Sequence, residues 1–396
     1  MAGGCAGWYI EDAGSGMLYK RGRLLGEGAF GRCYQLTEVA SGRVYAAKVI
    51  PRARLTAVGI GERVEREREL HGRLHHRHIV RLHGHFADRS HVYLLLEYCS
   101  RRVSGHRHPR TGASLCQGYT RAGTSLRPQS LADILRVRGR LTEPEVRYYL
   151  RQIISGLRYL HGQGIVHRDL KLSNFLVTEK MRVKIGDLGL ARHEAPAGRR
   201  WGALCGTPSY LAPEVLDRKG HGVPSDVWAL GCAMYTALAG SPPFEAAERQ
   251  ELYRRIRAAR YPLPPHLSPH ARALIARLLA PEPAARPSLR DVLDHGFFTQ
   301  GFTPETLPPH ACRSVPIFVG RDPLCGLLRG AAAALGRGRL CRERRVSPPH
   351  CPIPAGTRRQ PSPCHEGEAS AAGPEPRTHP LRKPFISAGN RLKSSR

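Results

Sequence analysis

One short region of the chain constrains its chemistry and its fold more than any other. It contains HRDLKLSN at residues 167–174 and, shortly afterwards, VKIGDLG at residues 183–189. The two runs supply a carboxylate that can accept a hydroxyl proton, a lysine beside it, and an amide and a second carboxylate that can hold Mg²⁺. Phosphoryl transfer requires such groups, because it depends mainly on positioning and on the neutralisation of charge. The predicted catalytic set is Asp169, Lys171, Asn174 and Asp187, with Asn174 and Asp187 as the metal ligands.

A glycine-rich turn near the start of the chain is the predicted phosphate-binding loop. GEGAFG at residues 26–31 directly follows a predicted strand and contains Gly26, Gly28 and Gly31. Glycines let backbone amides approach phosphates, because no side chain stands in the way. Dinucleotide-binding folds share this spacing, but they require a helix next and an acidic residue about 20 positions later. A second predicted strand follows here instead, which favours a nucleotide-binding turn between two strands.

Lys48 lies inside YAAKVI, an interior strand position where a single lysine is unexpected. It could be an edge-strand lysine that reaches solvent, or a cation that holds the α- and β-phosphates of ATP and is itself held by a helix glutamate. The charged run GERVERERELHGRL supplies that helix, and Glu67 is the predicted partner. Glu65 and Glu69 remain alternatives, and so does a simple solvated helix face.

Hydrophobic periodicity divides the chain into two regions. Residues 19–98 alternate apolar and polar side chains, as half-buried strands do. Residues 131–298 have a helical pattern, in which Thr142 and Glu145 form a capping box at the start of one helix. The sequence therefore predicts an α+β fold with a small β-rich N-lobe and a larger helical C-lobe.

The predicted boundaries follow from shifts in composition. Residues 1–19 form an N-terminal extension, and residues 20–298 form the folded domain. Its N-lobe covers residues 20–99, a basic insert about 102–128, and its C-lobe 129–298. Residues 299–396, rich in Pro and Arg, are expected to be a disordered basic tail.

The formal net charge of +30 is concentrated in the insert and the tail. Such a charge is compatible with nucleic acid or an acidic membrane as a partner. No basic motif with interleaved aromatic residues is present, so we expect no specific nucleic-acid binding.

The eleven cysteines show neither C-x-x-C pairs nor zinc-finger spacing, and they are expected to be reduced thiols. No apolar run has the length of a signal peptide or a membrane span, so no membrane association is expected. We expect a monomer in the cytoplasm and nucleus.

The order of these motifs resembles the protein kinase family. The glycine loop, Lys48, Glu67, HRDLKLSN, Asp187 and the APE run that ends at Glu214 occur in the family's sequence order. Lys171, together with Thr207 in GTP, is similar to the Ser/Thr class. The resemblance implies a Ser/Thr kinase with ATP and Mg²⁺ as cofactors and proteins as substrates. It also implies an activation segment that contains Asp187, Thr207 and Glu214 and is held by a Glu214–Arg286 ion pair. A helix-surface role is the alternative for Arg286.

Several further runs over residues 20–310 resemble the polo-like kinase family. This resemblance implies a function in the cell cycle. They are GAFGRCY, HGRLHHRHIVRLHGHFAD, VYLLLEYCSR, LTEPEVRYYLRQIISGLRYLH and FFTQGFTPETLPP. Two runs, DLG at residues 187–189 and WGALCGTP at residues 201–208, are most similar to the divergent fifth paralogue of the polo-like family. The resemblance implies an adenine site with hinge backbone from Glu97 and Cys99. Its remaining members would be Leu25 and the glycine loop, with Cys33, Ala46 and Leu176 around the ring.

Two departures from the family pattern concern regulation. Residues 201–205 read WGALC and offer no hydroxyl, whereas better-known members place a phosphorylated Thr at the position of Ala203. The polo boxes are also expected to be absent. The alternative to an active kinase is therefore a weak or inactive pseudokinase that acts as an ATP-binding scaffold.

Overall fold

The computed structural model describes residues 8–28, 31–57, 59–99, 129–194 and 204–318. The predicted basic insert and the predicted tail from residue 319 onward lie outside these ranges.

The described residues form strands and helices in the order expected for two lobes. The strands are β1 (Tyr9–Asp12), β2 (Met17–Glu27), β3 (Arg32–Glu38), β4 (Val44–Pro51), β5 (Leu82–Ala87), β6 (His91–Glu97), β7 (Gln129–Ser130), β8 (Ile165–Val166), β9 (Phe175–Val177), β10 (Val183–Ile185) and β11 (Arg192–His193). The helices are α1 (Arg52–Leu55), α2 (Ile60–Gly72), α3 (Leu131–Arg138), α4 (Glu143–Gly162), α5 (Pro213–Leu216), α6 (Val223–Ala239), α7 (Arg249–Arg257), α8 (Pro269–Leu278), α9 (Leu289–Asp294) and α10 (Gly296–Thr299). The predicted α+β, two-lobed fold is confirmed.

The N-lobe is built on one antiparallel sheet with the strand order β1-β2-β3-β4-β6-β5. On one face, Phe86 stacks between Tyr19 and Tyr93, at centroid distances of 5.4 and 4.5 Å. On another part of the sheet, Ile50 and Leu94 pack in a cluster with α2. The sheet begins earlier than the sequence indicated, because β1 pairs with β2 and places Tyr9 opposite Lys20. Part of the predicted N-terminal extension is thus a strand of the lobe.

The C-lobe is organised around two long helices, α4 and α6. The predicted capping box at the start of α4 is present, since the backbone N–H and the hydroxyl of Thr142 both donate to Glu145 Oε2, at 2.9 and 2.8 Å. Helix α6 is almost completely buried, and Trp228 is its largest fully buried side chain. Apolar surface on all sides is what a central helix requires.

Residues 300–318 pack against the C-lobe, and we call them the C-terminal strap. Leu307, Ala311 and Cys312 are buried. Arg147 in α4 donates to the carbonyl oxygen of Phe302 at 2.9 Å, and Arg138 in α3 donates to that of Ala311. The prediction that disorder begins at residue 299 is therefore wrong for residues 299–318. Sparse hydrophobic residues were enough for order here because α3 and α4 provide the partners.

None of the helices within the described ranges combines the length and the apolar character needed to cross a lipid bilayer.

Candidate active site

Lys48 on β4 meets Glu67 on α2. The lysine Nζ lies 2.9 Å from Glu67 Oε1 and 2.7 Å from Glu67 Oε2. Burial by itself lowers the pKa of Lys48, but the negative charges of Glu67 and Asp187 outweigh it and hold the pKa above its ordinary value. The lysine is therefore a charged group held at the base of the cleft.

The helical period of α2 explains why Glu67 is the partner among three candidate glutamates. Val64, Glu67 and His71 are buried on the same face of the helix. Glu65 points away from that face, where it accepts a hydrogen bond from Arg68 Nε at 2.9 Å, and Glu69 is exposed. The structure thus places Glu67, and neither alternative, against Lys48.

Asp187 approaches the same lysine from the C-lobe. Its Oδ1 lies 3.3 Å from Lys48 Nζ, and its backbone has a φ of +56°, which few residues other than glycine adopt. Burial would raise the pKa of Asp187, but the charge of Lys48 outweighs it and keeps the pKa below its ordinary value. A Cβ at Gly189 would lie 3.2 Å from Glu67 Oε2 and 3.3 Å from Lys48 Nζ, so a larger residue there would press against this group of charges.

The carboxylate of Asp169 is held by two side chains. Lys171 Nζ donates to its Oδ2 at 2.8 Å, and the hydroxyl of Thr207 donates to its Oδ1 at 2.7 Å. Lys171 Nζ also donates to Thr207 Oγ1 at 3.0 Å, which closes a triangle. Thr207 was predicted as part of the activation segment, and the structure brings it directly to the carboxylate.

Asn174 lies beside this triangle in a single turn of 3-10 helix. Its Nδ2 donates a hydrogen bond to the backbone oxygen of Asp169 at 2.8 Å. The amide nitrogen is thereby directed inward, and the amide oxygen is the atom that can coordinate a metal ion. The oxygens of Asn174 and Asp187 are the type that a hard divalent cation prefers, and such ions usually complete their shell with water and substrate phosphates. Within the described ranges, no three or more His, Cys, Asp or Glu side chains are grouped so that they could hold a metal ion.

Asp226, which the sequence analysis did not single out, anchors the catalytic loop. Its two carboxylate oxygens accept the backbone N–H groups of His167 and Arg168 at 2.9 and 3.0 Å, and its Oδ2 also contacts His161 Nε2 at 2.9 Å. Burial would raise the pKa of Asp226, but these hydrogen bonds hold it below its ordinary value. A single acidic residue at the start of the apolar run SDVWALG was the available sequence signal.

These side chains surround a cleft of about 940 Å³. The predicted site residues on its wall are Leu25, Gly26, Gly28, Lys48, Asp169, Lys171, Asn174, Leu176 and Asp187. The remaining predicted ATP-binding residues are not among the described residues on that wall. They are Gly31, Cys33, Ala46, Glu97 and Cys99.

Each of these five residues has another setting in the structure. A Cβ at Gly31 would lie 2.2 Å from Val49 O, so this glycine permits close packing on β4. Cys33 is opposite Lys48 in the β3–β4 pair, and burial raises the pKa of its thiol to about 11. Ala46 is opposite Leu96 in the β4–β6 pair, and Cys99 is buried.

Glu97 is engaged through both its side chain and its backbone. Its carboxylate pairs with Lys184 at 2.9 Å, and its N–H donates to Arg81 O at 2.8 Å. This backbone amide is therefore already bonded within the N-lobe.

Glu214 and Arg286, the last predicted pair, are in contact. Arg286 Nη1 and Nη2 each lie 2.7 Å from one carboxylate oxygen of Glu214. Both residues are buried, and the pair joins the end of the activation segment to the loop before α9. The alternative of an exposed helix-surface arginine is wrong.

Comparison with known proteins identifies protein kinases both among family models and among individual relatives. Residues 19–298 match the family model described as "Protein kinase domain". Over 321 residues the chain is 55% identical to a mouse protein named "Inactive serine/threonine-protein kinase PLK5", covering 81% of this chain and 49% of that protein. It is 47% identical over 330 residues to mouse "Serine/threonine-protein kinase PLK2", an alignment that covers 83% of this chain and 44% of that protein. It is 42% identical over 307 residues to Xenopus laevis "Serine/threonine-protein kinase PLK1", an alignment that covers 78% of this chain and 47% of that protein. The chain spans less than half the length of these relatives.

Proposed function

Because this chain belongs to the protein kinase family, with polo-like Ser/Thr kinases as its relatives, we propose that it transfers the γ-phosphate of ATP to serine and threonine hydroxyls of proteins. A protein kinase domain works with ATP and a divalent metal in general. We propose Mg²⁺ as that metal, with Asn174 and Asp187 as its ligands. When bound, the metal would neutralise charge on the phosphates.

The observation that carries this proposal is the contact of Lys48 Nζ with both Glu67 and Asp187, at 2.7 and 3.3 Å. These contacts bring β4, α2 and the Asp187 carboxylate that we propose as a metal ligand together at one point. Transfer between phosphate and hydroxyl is governed by such positioning, because misplacement of a reacting group by 1 Å costs about 100-fold in rate.

The residues of the chain have distinct roles in the proposed reaction. Lys48 would neutralise oxygens of the nucleotide phosphates. Asp169 would accept a hydrogen bond from the substrate hydroxyl and orient it towards the γ-phosphate. Lys171 would neutralise charge on the phosphoryl group during transfer, and Thr207 would hold the Asp169 carboxylate in place.

The direct test is transfer of ³²P from ATP to a generic acidic protein substrate by the purified chain. Asp169→Asn should lower the rate by about 100-fold or more, because it removes the orienting carboxylate. Asp217→Asn is the matched control, since Asp217 is a half-exposed carboxylate paired with Arg257 away from the cleft. Phosphoamino-acid analysis should detect phosphoserine and phosphothreonine. Equal rates for the two variants, or substantial phosphotyrosine, would contradict the proposal.

A second candidate is an ATP-binding scaffold without transfer activity. It is favoured by the 55% identity to a mouse protein whose name includes "Inactive". This candidate predicts that Mg-ATP stabilises the chain while ³²P transfer stays at the level of the Asp169→Asn variant.

We also propose a monomer in the cytoplasm and nucleus. The cysteines that the structure describes, Cys33, Cys99, Cys205, Cys232 and Cys312, are free thiols, which suits a reducing compartment. Light scattering of the purified chain and imaging of a fluorescently tagged chain in cells test the two statements separately.

A further inference from the structure

A second cavity lies on the face of the N-lobe sheet opposite α2, and we call it the N-lobe pocket. Its volume is about 380 Å³. Ile50 on β4 and Leu94 on β6 pack with α2. Because successive side chains of a strand point to opposite faces, their neighbours Val49 and Tyr93 point away from α2, and both line the pocket.

The floor of the N-lobe pocket is apolar and aromatic. Val49 lies opposite Tyr93 in the β4–β6 pair, and Tyr34 on β3 supplies a second ring. Val49 and Tyr93 are buried, whereas Tyr34 is half-buried. Tyr93 is fixed in place, because its hydroxyl donates to Asp88 Oδ2 at 2.6 Å and its ring stacks on Phe86. A preformed floor of this kind suits an aromatic side chain, since aromatic rings attract one another in offset or edge-to-face arrangements.

The rim of the N-lobe pocket is basic. Arg21 on β2, Arg32 on β3 and Arg54 on α1 line it, together with His91 at the start of β6. Among the described residues of its wall, Glu27 is the only carboxylate, and it accepts an ion pair from Arg32 Nε at 3.0 Å. Cations therefore outnumber anions around an apolar floor.

Arg21 connects the rim to the floor. The central carbon of its guanidinium lies 5.5 Å from the centre of the Tyr34 ring, and the residue is exposed. A guanidinium packed on an aromatic ring keeps its planar N–H donors available for a carboxylate. The pair thus offers an aromatic surface and a carboxylate-binding group side by side.

We propose that the N-lobe pocket binds an acidic segment of a partner protein, with an aromatic side chain on the floor and flanking carboxylates on the basic rim. Charge complementarity selects this occupant, because a cationic segment would be repelled by Arg21, Arg32 and Arg54. A nucleic acid is less well matched, since its binding relies on many phosphate contacts along an extended surface. This binding does not depend on whether the chain transfers phosphate.

A partner bound in the N-lobe pocket would lie behind the predicted phosphate-binding loop. Gly28 and Gly31 line the pocket, and the N–H of Gly28 donates to the backbone oxygen of Gly31 at 2.9 Å. Glu27 and Gly28 line both this pocket and the candidate active-site cleft. The partner would therefore contact the segment that separates the two cavities without entering the cleft.

The test is fluorescence anisotropy of a short labelled peptide, titrated with the full chain at constant ionic strength. The peptide has one phenylalanine between two pairs of aspartates and no hydroxyl that could be phosphorylated. We expect saturable binding to the wild type. Arg21→Gln/Arg32→Gln, at two exposed positions, should weaken it by about tenfold or more, because both rim charges are lost. Arg43→Gln, an exposed arginine before β4 and outside the pocket wall, should bind as the wild type does.

Altered peptides test the floor and the rim without any change to the protein. Glycine in place of the phenylalanine should weaken binding by about tenfold, and lysines in place of the aspartates should abolish it. Arg136→Gln removes a cation from the wall of the cleft and should retain binding. No saturable binding by the wild type, full binding by Arg21→Gln/Arg32→Gln, or loss of binding in Arg136→Gln would overturn the proposal. So would tighter binding of an oligouridylate that Arg21→Gln/Arg32→Gln loses, since it would identify a nucleic acid as the occupant.

Discussion

The guanidinium of Arg286 lies 5.0 Å from the centre of the Trp228 ring. The cation that pairs with both carboxylate oxygens of Glu214 is thus also packed on an aromatic face in the centre of the C-lobe. Arg286 in addition donates to the backbone oxygens of Ala280, Pro224 and Pro281. A planar guanidinium can satisfy all these partners at once, which the ammonium group of lysine cannot do.

Replacement of Arg286 should therefore be costly. Arg286→Leu would leave the Glu214 carboxylate buried without a counter-charge and should lower the free energy of unfolding by about 3–5 kcal/mol. Arg257→Leu is the matched control, because Arg257 and Asp217 form a half-exposed pair for which the expected loss is about 1 kcal/mol or less. Urea denaturation measures both, and equal losses would show that the buried pair does not stabilise the lobe.

Mg-ATP should stabilise the chain through Lys48 and Asp187. At about 100 times its dissociation constant, the ligand should raise the free energy of unfolding by about 2.7 kcal/mol. The double variant Lys48→Met/Asp187→Asn should lose this increase, because one side chain neutralises the phosphates and the other holds the metal. Thermal shift with and without Mg-ATP is the measurement, and a full shift in the double variant would contradict these roles.

The triangle of Asp169, Lys171 and Thr207 predicts that the hydroxyl of Thr207 matters for the rate of transfer. Thr207→Val removes the bond to Asp169 Oδ1 and frees the carboxylate to rotate, so kcat should fall at least about tenfold. Thr207→Ser keeps the hydroxyl and should retain most of the rate. The KM for ATP should change little in either variant, because Thr207 acts on the substrate hydroxyl through Asp169. A loss of equal size in Thr207→Ser would assign the effect to packing of the methyl group.

The sequence predicted features that depend on neighbouring residues better than features that depend on contacts between residues far apart in the chain. Glu67 was predicted as the partner of Lys48 from its place in the charged helix, with Glu65 and Glu69 left open. The burial of Val64 and Glu67 on one face of α2 decides between them. Asp226 was missed because its partners, the backbone N–H groups of residues 167 and 168, lie far away in sequence. Gly31 was assigned to phosphate binding from its spacing, whereas its contact with Val49 depends on the register of neighbouring strands.

His71 predicts a dependence of stability on pH. It is 1% exposed, its Nε2 lies 2.5 Å from Val80 O, and its Nδ1 has no hydrogen-bond partner. Burial lowers the pKa of His71 from 6.5 to about 4. The folded state therefore binds fewer protons than the unfolded state between these values, so stability should fall as pH decreases from 6.5 towards 4.

The contribution of His71 can be isolated by substitution. His71→Gln keeps a donor for Val80 but cannot titrate, so the loss of unfolding free energy between pH 6.5 and 5 should be smaller by about 2 kcal/mol. His85→Gln, at an exposed position on β5, should leave the pH dependence unchanged. Urea denaturation at a series of pH values gives the slopes. Parallel curves for the wild type and His71→Gln would mean that His71 titrates normally in the folded state.

The C-terminal strap gives the last prediction, because composition alone suggested that these residues were disordered. Leu307 is 4% exposed and belongs to the main hydrophobic core, whereas Ile317 in the same strap is 90% exposed. Leu307→Ala in the full chain should lower the free energy of unfolding by about 3 kcal/mol, since it removes buried methyl groups and leaves a cavity. Ile317→Ala removes a similar apolar volume from solvent and should change stability by less than about 0.5 kcal/mol. If the strap does not pack on the C-lobe, the two variants will unfold at the same urea concentration as the wild type. A loss confined to Leu307→Ala would place residues 300–318 within the cooperatively folded domain.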